Sequence, residues 1–369
     1  MEKRATVHKR KRRRRRRARR LALLILCCVL TIAVVAVVAV SLWLPKYKYN
    51  PIEVSKPEEL GFENKFSGEV INIALFGLDT RSPGEFSGCL SDCIMILSLN
   101  SETKKIKLFS VMRDSLVAIE KDGKTSYTKI NSAYLRGGPQ LAIKTLNKNF
   151  NLDISEYATV NFYGLAKIID SVGTIDITLT DEEVNAHGTS HQSGINDYIS
   201  EICQYMNLDY NEYKITTPGL VHANGVQAVA YSRIRYVKNI WGGADDYGRT
   251  DRQRYVMEQL FQKALTMSKA KYVSLAKAAA PYMETSLSYS EIMGLAFDIL
   301  LKSPTFEQNR IPRYEFVMNS PASRSNCVYY DLDYASAVIK AVIYEDMTID
   351  EYEDLHPVEK KDWFRSVRP

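Results

Sequence analysis

Residues 230 to 254, AYSRIRYVKNIWGGADDYGRTDRQR, gather five arginines, Arg233, Arg235, Arg249, Arg252 and Arg254, among three aspartates. A guanidinium offers a planar fork of donors that binds phosphate oxygens two at a time, and it does not give up its charge. Arg233 and Arg235 are two positions apart, so an extended segment would turn both to one side. Arg249 and Gln253 are four apart, on one face of a helix that starts near them, with Asp246 ahead of its first turn. A helix N-terminus adds its own attraction for anions. Two readings stand open here: a phosphate cradle, or a salt-bridged surface loop in which Asp245, Asp246 and Asp251 offset the arginines.

Charge also collects at the ends of predicted strands. Asp79 and Arg81 follow VINIALFGL, Asp92 precedes CIMILSLN, and Arg113 with Asp114 follows KIKLFSVM. Strands adjacent in sequence usually pair, and antiparallel pairing would bring Asp79 and Asp92 together. Two carboxylates suit a hard divalent cation such as magnesium or manganese. Ordinary capping of strand ends is the alternative, and spacing alone does not separate the two.

The elements that must position these groups read as follows. The three short apolar runs just quoted predict buried strands. GGPQLAIKTLNKNF has helical spacing after a glycine pair, and TVNFYGLAKIIDSVGTIDITLT reads strand, helix, strand. Thr180 with Glu183, and Ser288 with Glu291, have the spacing of capping boxes. RTDRQRYVMEQLFQKALTMS, SYSEIMGLAFDILLKS and a stretch near 333–345 read as helices. Strands alternating with helices predict an α/β (mixed α+β) fold, a central mixed sheet covered on both faces.

Other residue types narrow the chemistry. The five histidines are scattered and offer no His-based catalytic set. Cys27 and Cys28 fall in an apolar run; Cys89, Cys93, Cys203 and Cys327 lack the neighbours of a zinc site, and their disulfide pairing stays open.

The N-terminus predicts where this chemistry takes place. Residues 1–20 carry thirteen Lys or Arg and one acid, and Leu21–Leu44 follow without a charge. As a helix the apolar run is roughly 36 Å long, enough to span a bilayer core of about 30 Å. It exceeds the usual apolar region of a cleaved signal, and the basic side stays in the cytoplasm, so the rest of the chain is expected outside. Without the first twenty residues the chain has 36 basic and 42 acidic residues, so the arginines of 233–254 are a local concentration. The basic block reads as a topology signal on anionic lipid; nucleic-acid binding is not expected. Residues 45–68 read as a stalk, 69–268 as a catalytic domain, and 269–369 as a mainly helical part of the same exterior domain.

Six blocks in order behind a single anchor, NIALFGLDTR, SDCIMILSLN, LFSVMRDSLV, KINSAYLRGG, NGVQAVAYSRIRYV and DDYGRTDRQR, resemble the LytR-CpsA-Psr family across about residues 70–268. The resemblance implies a membrane-anchored phosphotransferase of a Gram-positive-type envelope. It would move an anionic glycopolymer, of teichoic acid or capsule type, from a polyprenyl-pyrophosphate carrier to a muramic acid hydroxyl of peptidoglycan. It further implies an apolar channel for the lipid, with Asp79 and Asp92 as Mg²⁺ (or Mn²⁺) ligands. Arg113, Arg233, Arg235, Arg249 and Gln253 take the place of the pyrophosphate cradle, Asp246 that of its accompanying acid, and Arg81 adds a head-group contact. Where the family often has Arg-Ser-Asp-Thr, this chain has Leu90-Ser91-Asp92-Cys93, one positive charge fewer near the head group. Phosphoryl-type transfer rests on positioning and electrostatics, so the absence of a Ser-His-Asp set is no objection. A carrier hydrolase, a non-catalytic carrier-binding protein and a transcriptional regulator are the rival readings.

Overall fold

The computed structural model describes residues 47–357 apart from 55, 81–83, 189–191, 268–270, 272–274, 276–278, 303, 314–315, 319–321 and 325. The expected membrane segment, the basic block before it and Arg81 lie outside the described residues. Among the described residues no helix is long and apolar enough to cross a membrane.

A seven-stranded mixed sheet organises the chain. Its middle is formed by β2 (Val70–Leu78), β3 (Ser91–Asn100) and β4 (Lys105–Val111), each antiparallel to the next. The other strands are β1 (Lys48–Tyr49), β7 (Glu156–Asn161), β10 (Met283–Thr285) and β11 (Thr305–Ile311), in the order β1-β10-β7-β2-β3-β4-β11. β7 runs parallel to β2, and β11 parallel to β4. The C-terminal part, read from sequence as mainly helical, thus also supplies two strands of this sheet. Two antiparallel pairs stand apart, the hairpin of β5 (Leu116–Lys121) with β6 (Lys124–Lys129), and β8 (Ile175–Leu179) with β9 (Gly219–Ala223), which lie far apart in sequence.

The sequence of β2 explains its central place. Val70, Ala74, Phe76 and Leu78 point into one core, while Leu75 and Gly77, half-buried on the opposite face, line an apolar cavity and Ile71 is exposed. Strands apolar on both faces belong in the middle of a covered sheet. The first core lies under α1 (Ser132–Phe150), kinked at Gly137 and Gly138, and α9 (Leu332–Tyr344). Burial of each Phe- or Leu-sized side chain there contributes roughly 1.5–3 kcal/mol.

A second core joins α2 (Phe162–Val172), α4 (Ile195–Met206), α6 (Gly225–Arg233) and α7 (Asp245–Leu265) to the β8–β9 pair. Asn161 ends β7 and at once caps α2, accepting a hydrogen bond from Gly164 N at 2.8 Å. Asn224 and Gln227 cap α6 reciprocally, both bonds at 3.1 Å. A Cβ on Gly225 would lie 2.0 Å from Ala166 O, so only a bare backbone lets α6 cross α2 this closely. These caps fix where α2 and α6 begin; the start of α2, at Phe162, and the far end of α6, at Arg233, reach the same hollow.

Candidate active site

The carboxylate side of the site follows from a β-bulge. Gly77 lies opposite Cys93 but Leu78 lies opposite Ser91, which leaves Asp92 as the unpaired extra residue of β3. Bulges re-aim side chains, and here the bulge turns Asp92 toward the same hollow that Asp79 lines just past β2. The two acids meet at one end of the antiparallel pair, as the sequence predicts. Asp92 lies inside β3 rather than ahead of it, because pairing continues to Ser91.

The arginine side comes from helix ends. Arg233 is the last residue of α6, and Arg235 lies in the short coil beyond it. Both line the hollow, the first from the helix end and the second from the coil. α7 begins at Asp245, so Asp246 sits within its first turn, not before it. Acids there are favoured by the helix dipole. Arg249 and Gln253 share one face of α7, as their spacing predicts, and that face closes the hollow.

The hollow has a volume of about 150 Å³ and is lined by Asp79, Asp92, Cys93, Phe162, Tyr198, Arg233, Arg235, Arg249 and Gln253. Cys93, Phe162 and Gln253 also line a second cavity of about 230 Å³. Its remaining walls are almost wholly apolar: Leu75, Met95, Ala158 and Val160 of the sheet, Leu165 and Ile168 of α2, and Val256, Met257 and Leu260 of α7. A charged chamber therefore adjoins an oily one, with three side chains lining both.

Behind the hollow, Asp246 and Arg113 bind the charged groups into a network. Asp246 Oδ1 receives Arg249 Nη2 at 2.8 Å and Arg235 Nη2 at 2.9 Å, and Arg113 Nη2 stands 3.4 Å away. Arg113 Nη1 donates to Asp92 Oδ2 at 2.5 Å, with Arg249 Nη1 3.6 Å from the same oxygen. Burial alone would raise the Asp246 carboxyl, yet Arg249, Arg113 and Arg235 hold it below the ordinary carboxylate value. Burial lowers the Arg249 guanidinium from its usual value, and Arg113 and Arg235 add repulsion that Asp246 and Asp92 oppose. Burial pushes the Cys93 thiol up to about 12, so this sulfur stays protonated at neutral pH and is no nucleophile.

Every described residue predicted for the site thus takes part, in two layers. Asp79, Asp92, Arg233, Arg235, Arg249 and Gln253 face the hollow. Arg113, expected to contact the pyrophosphate, and Asp246, expected as the acid accompanying the cradle, reach the hollow through ion pairs. Sequence reasoning missed Phe162, Tyr198 and Glu201. Arg233 lies over the Phe162 ring at 4.7 Å and the Tyr198 ring at 5.2 Å, and donates to Glu201 Oε1 at 3.1 Å. Nothing in their local patterns marks them: Phe162 opens one helix, and Tyr198 and Glu201 lie on another. Arg254 serves structure, pairing with Asp251 at 2.6 Å, as does Arg310.

Two carboxylates, Asp79 and Asp92, line the hollow as oxygen donors of the kind a hard divalent ion takes. Asp79 is exposed on the hollow beside Asp92, and magnesium takes one or two carboxylates, keeps waters and completes its shell with substrate phosphates. Among the described residues there is no cluster of three or more His, Cys, Asp or Glu that could hold a metal. A pair of acids facing a phosphate-sized space fits an ion shared with a ligand, not one caged by protein.

The sequence profile of the LytR_cpsA_psr family matches residues 46–338. The chain belongs to this family. It is 32% identical over 251 residues to the polyisoprenyl-teichoic acid–peptidoglycan teichoic acid transferase TagU of Enterococcus faecalis, covering 68% of this chain and 71% of that one. In fold it is similar to protein gbs0355 of Streptococcus agalactiae, with TM-score 0.60 and 21% identity over 80% of this chain and 100% of that one. It also resembles the LytR-CPS2A-psr family protein YwtF (TagT) with bound octaprenyl pyrophosphate lipid, with TM-score 0.51 and 17% identity over 82% and 96%. These likenesses establish the mixed sheet flanked by helices as the family fold.

Proposed function

We propose that this member of the LytR_cpsA_psr family transfers an anionic glycopolymer from a polyprenyl-pyrophosphate carrier to a muramic acid hydroxyl of peptidoglycan. One observation carries the reading: the arginine-lined hollow adjoins an apolar cavity, with Cys93, Phe162 and Gln253 lining both. That is the shape of a ligand with a diphosphate head and a hydrocarbon tail. The relative named a teichoic acid transferase and the neighbour that holds octaprenyl pyrophosphate support it.

In this reaction the acceptor hydroxyl attacks the phosphorus that bears the glycan. A P–O bond forms to the muramic acid oxygen while the anhydride bond breaks, its electron pair leaving with polyprenyl monophosphate. Arg233, Arg235 and Arg249 hold the phosphate oxygens and neutralise the charge that grows on the departing phosphate. Asp246 keeps Arg235 and Arg249 in place beforehand, Glu201 holds Arg233, and Arg113 ties Asp246 to Asp92. Asp79 receives the hydroxyl proton, because Asp92 is engaged by Arg113 and Asp246 by three arginines. Asp79 and Asp92 would hold Mg²⁺ or Mn²⁺, which when bound supplies further positive charge to the diphosphate. The apolar cavity excludes water from the tail side, which favours a sugar hydroxyl over hydrolysis.

We also place the protein in the cell membrane, with residues 21–44 as a single anchor, residues 1–20 in the cytoplasm and the catalytic part outside. Protease added to intact cells should then cleave the C-terminal part. The reaction is tested by incubating the full chain in detergent with a defined polyprenyl-pyrophosphate glycan and muropeptides, with and without Mg²⁺. The expected result is polyprenyl monophosphate released in step with glycan on the muropeptide. Monophosphate released with free glycan phosphate would make the protein a hydrolase, and carrier bound without turnover would make it a binding protein.

A further inference from the structure

Arg252 is the one arginine of the 230–254 stretch whose place neither the hollow nor a surface ion pair explains. It lies on α7 between Thr250 and Gln253, is 0% exposed, and does not line the hollow. Its Nε donates to Glu183 Oε1 at 2.6 Å, Nη1 to Ile234 O at 3.1 Å and Nη2 to Val237 O at 2.7 Å. Glu183, also 0% exposed, is itself fixed by the capping box with Thr180, whose N–H donates to Glu183 Oε2 at 2.8 Å. Thr180 Oγ1 in turn donates to Lys238 O at 3.1 Å. The two carbonyls that Arg252 holds bracket the turn that carries Arg235.

This arrangement exceeds what an ion pair needs. Glu183 alone would balance the charge, whereas the other two donors go to loop backbone that would otherwise be buried and unpaired. Only a planar guanidinium reaches three acceptors in divergent directions; an ammonium is a point donor on a flexible stem. The cradle is assembled from two pieces of chain, α7 with Asp246, Arg249 and Gln253, and the segment after α6 with Arg233 and Arg235. Arg252 joins the two pieces out of contact with the ligand space.

We infer that Arg252 is a positioning residue: it clamps the Ile234–Val237 turn to α7, so that Arg235 stands on Asp246 and faces the hollow before a ligand arrives. The inference rests on the diphosphate reading of the hollow. The test is a double-mutant cycle on the full chain in detergent, with farnesyl pyrophosphate as the probe and affinity measured by calorimetry. Arg252→Lys and Arg235→Ala should each weaken binding by about tenfold or more, and the double variant should bind no more than about twofold worse than the weaker single one. Losses that multiply would show that Arg252 does not act through Arg235 and would overturn the inference, as would an Arg252→Lys protein that binds like wild type. Glu183→Gln gives a second arm should Arg252→Lys not fold, because it removes the ion pair and leaves the guanidinium on both carbonyls. Its affinity should stay within about twofold of wild type; a loss as large as that of Arg235→Ala would reduce Arg252 to a salt-bridge partner. Wild-type protein that ignores farnesyl pyrophosphate would remove the diphosphate reading and this inference together, whereas a bound probe with an additive cycle removes the inference alone.

Discussion

The Asp246 carboxylate accepts a hydrogen bond from Arg235 at 2.9 Å, across the gap between α7 and the coil after α6. The same oxygen faces Arg249 and Arg113, so a single acid restrains three guanidiniums. Asp246→Asn should therefore leave three cations repelling one another, at a cost on the order of 3 kcal/mol of stability at pH 7. The folded-state value of Asp246 is lowered, so its contribution is fully present above the unfolded carboxylate value, begins to fade below it, and is lost as pH falls through the lowered folded-state value. Thermal unfolding should show wild type and variant drawing together below about pH 4. A gap that stays constant between pH 7 and pH 3 would argue against the hub.

Of the three arginines that face the hollow, Arg233 and Arg249 should differ in what supports them. Arg249→Ala and Arg233→Ala should each lower the transfer rate by about 2–4 kcal/mol of transition-state stabilisation, roughly thirty- to a thousandfold. Phe162→Leu, which removes one of the two rings against Arg233, should lower the rate by a smaller factor and leave Arg249 untouched. Steady-state transfer assays decide; a Phe162 variant as damaged as Arg233→Ala would give the ring a direct part in substrate binding.

Asp79 carries the metal prediction. Asp79→Asn should raise the magnesium concentration needed for half-maximal transfer by about tenfold or more, while Arg249→Ala should change the rate at saturating metal. Rates across a magnesium titration separate the two effects. An unchanged midpoint in Asp79→Asn would remove this residue from the ion.

The apolar cavity should select for the tail. Ala158→Phe places a ring in the cavity wall of β7, away from the charged groups. Affinity for a long polyprenyl pyrophosphate should fall by about tenfold or more, and affinity for inorganic pyrophosphate should remain. Equal losses on both ligands would mean that the cavity is not where the tail resides.

Much of this was legible in the sequence because strong local patterns coincide with the sheet. The runs over β2, β3 and β4 are apolar and bounded by charge, and strands so short and so oily have few other places to go. The capping boxes at Thr180 and Ser288 occur as their spacing predicts. Asp92 entering the strand, and Asp246 entering the helix, are shifts of one or two residues that local propensity does not fix. The hairpin of β5 and β6 went unread although its Asp122–Gly123 turn has the left-handed angles that such a pair favours. Phe162 and Tyr198 became visible only in three dimensions, since an aromatic that stacks on an arginine from another helix has no local pattern. The division of the arginines was hidden in the same way. Arg249 and Arg252 are three residues apart on one helix, one facing the hollow and one fully buried, and tertiary packing made that choice.

The join between the charged chamber and the oily one has a kinetic consequence under the proposed reaction. Once the anhydride is cleaved, the glycan half is bonded to its wall acceptor and keeps no grip on the hydrocarbon passage. The spent carrier still has its whole tail inside. The two products should therefore depart on separate clocks, with the lipid slower to leave and with its exit, not bond breaking, setting the pace of repeated turnovers.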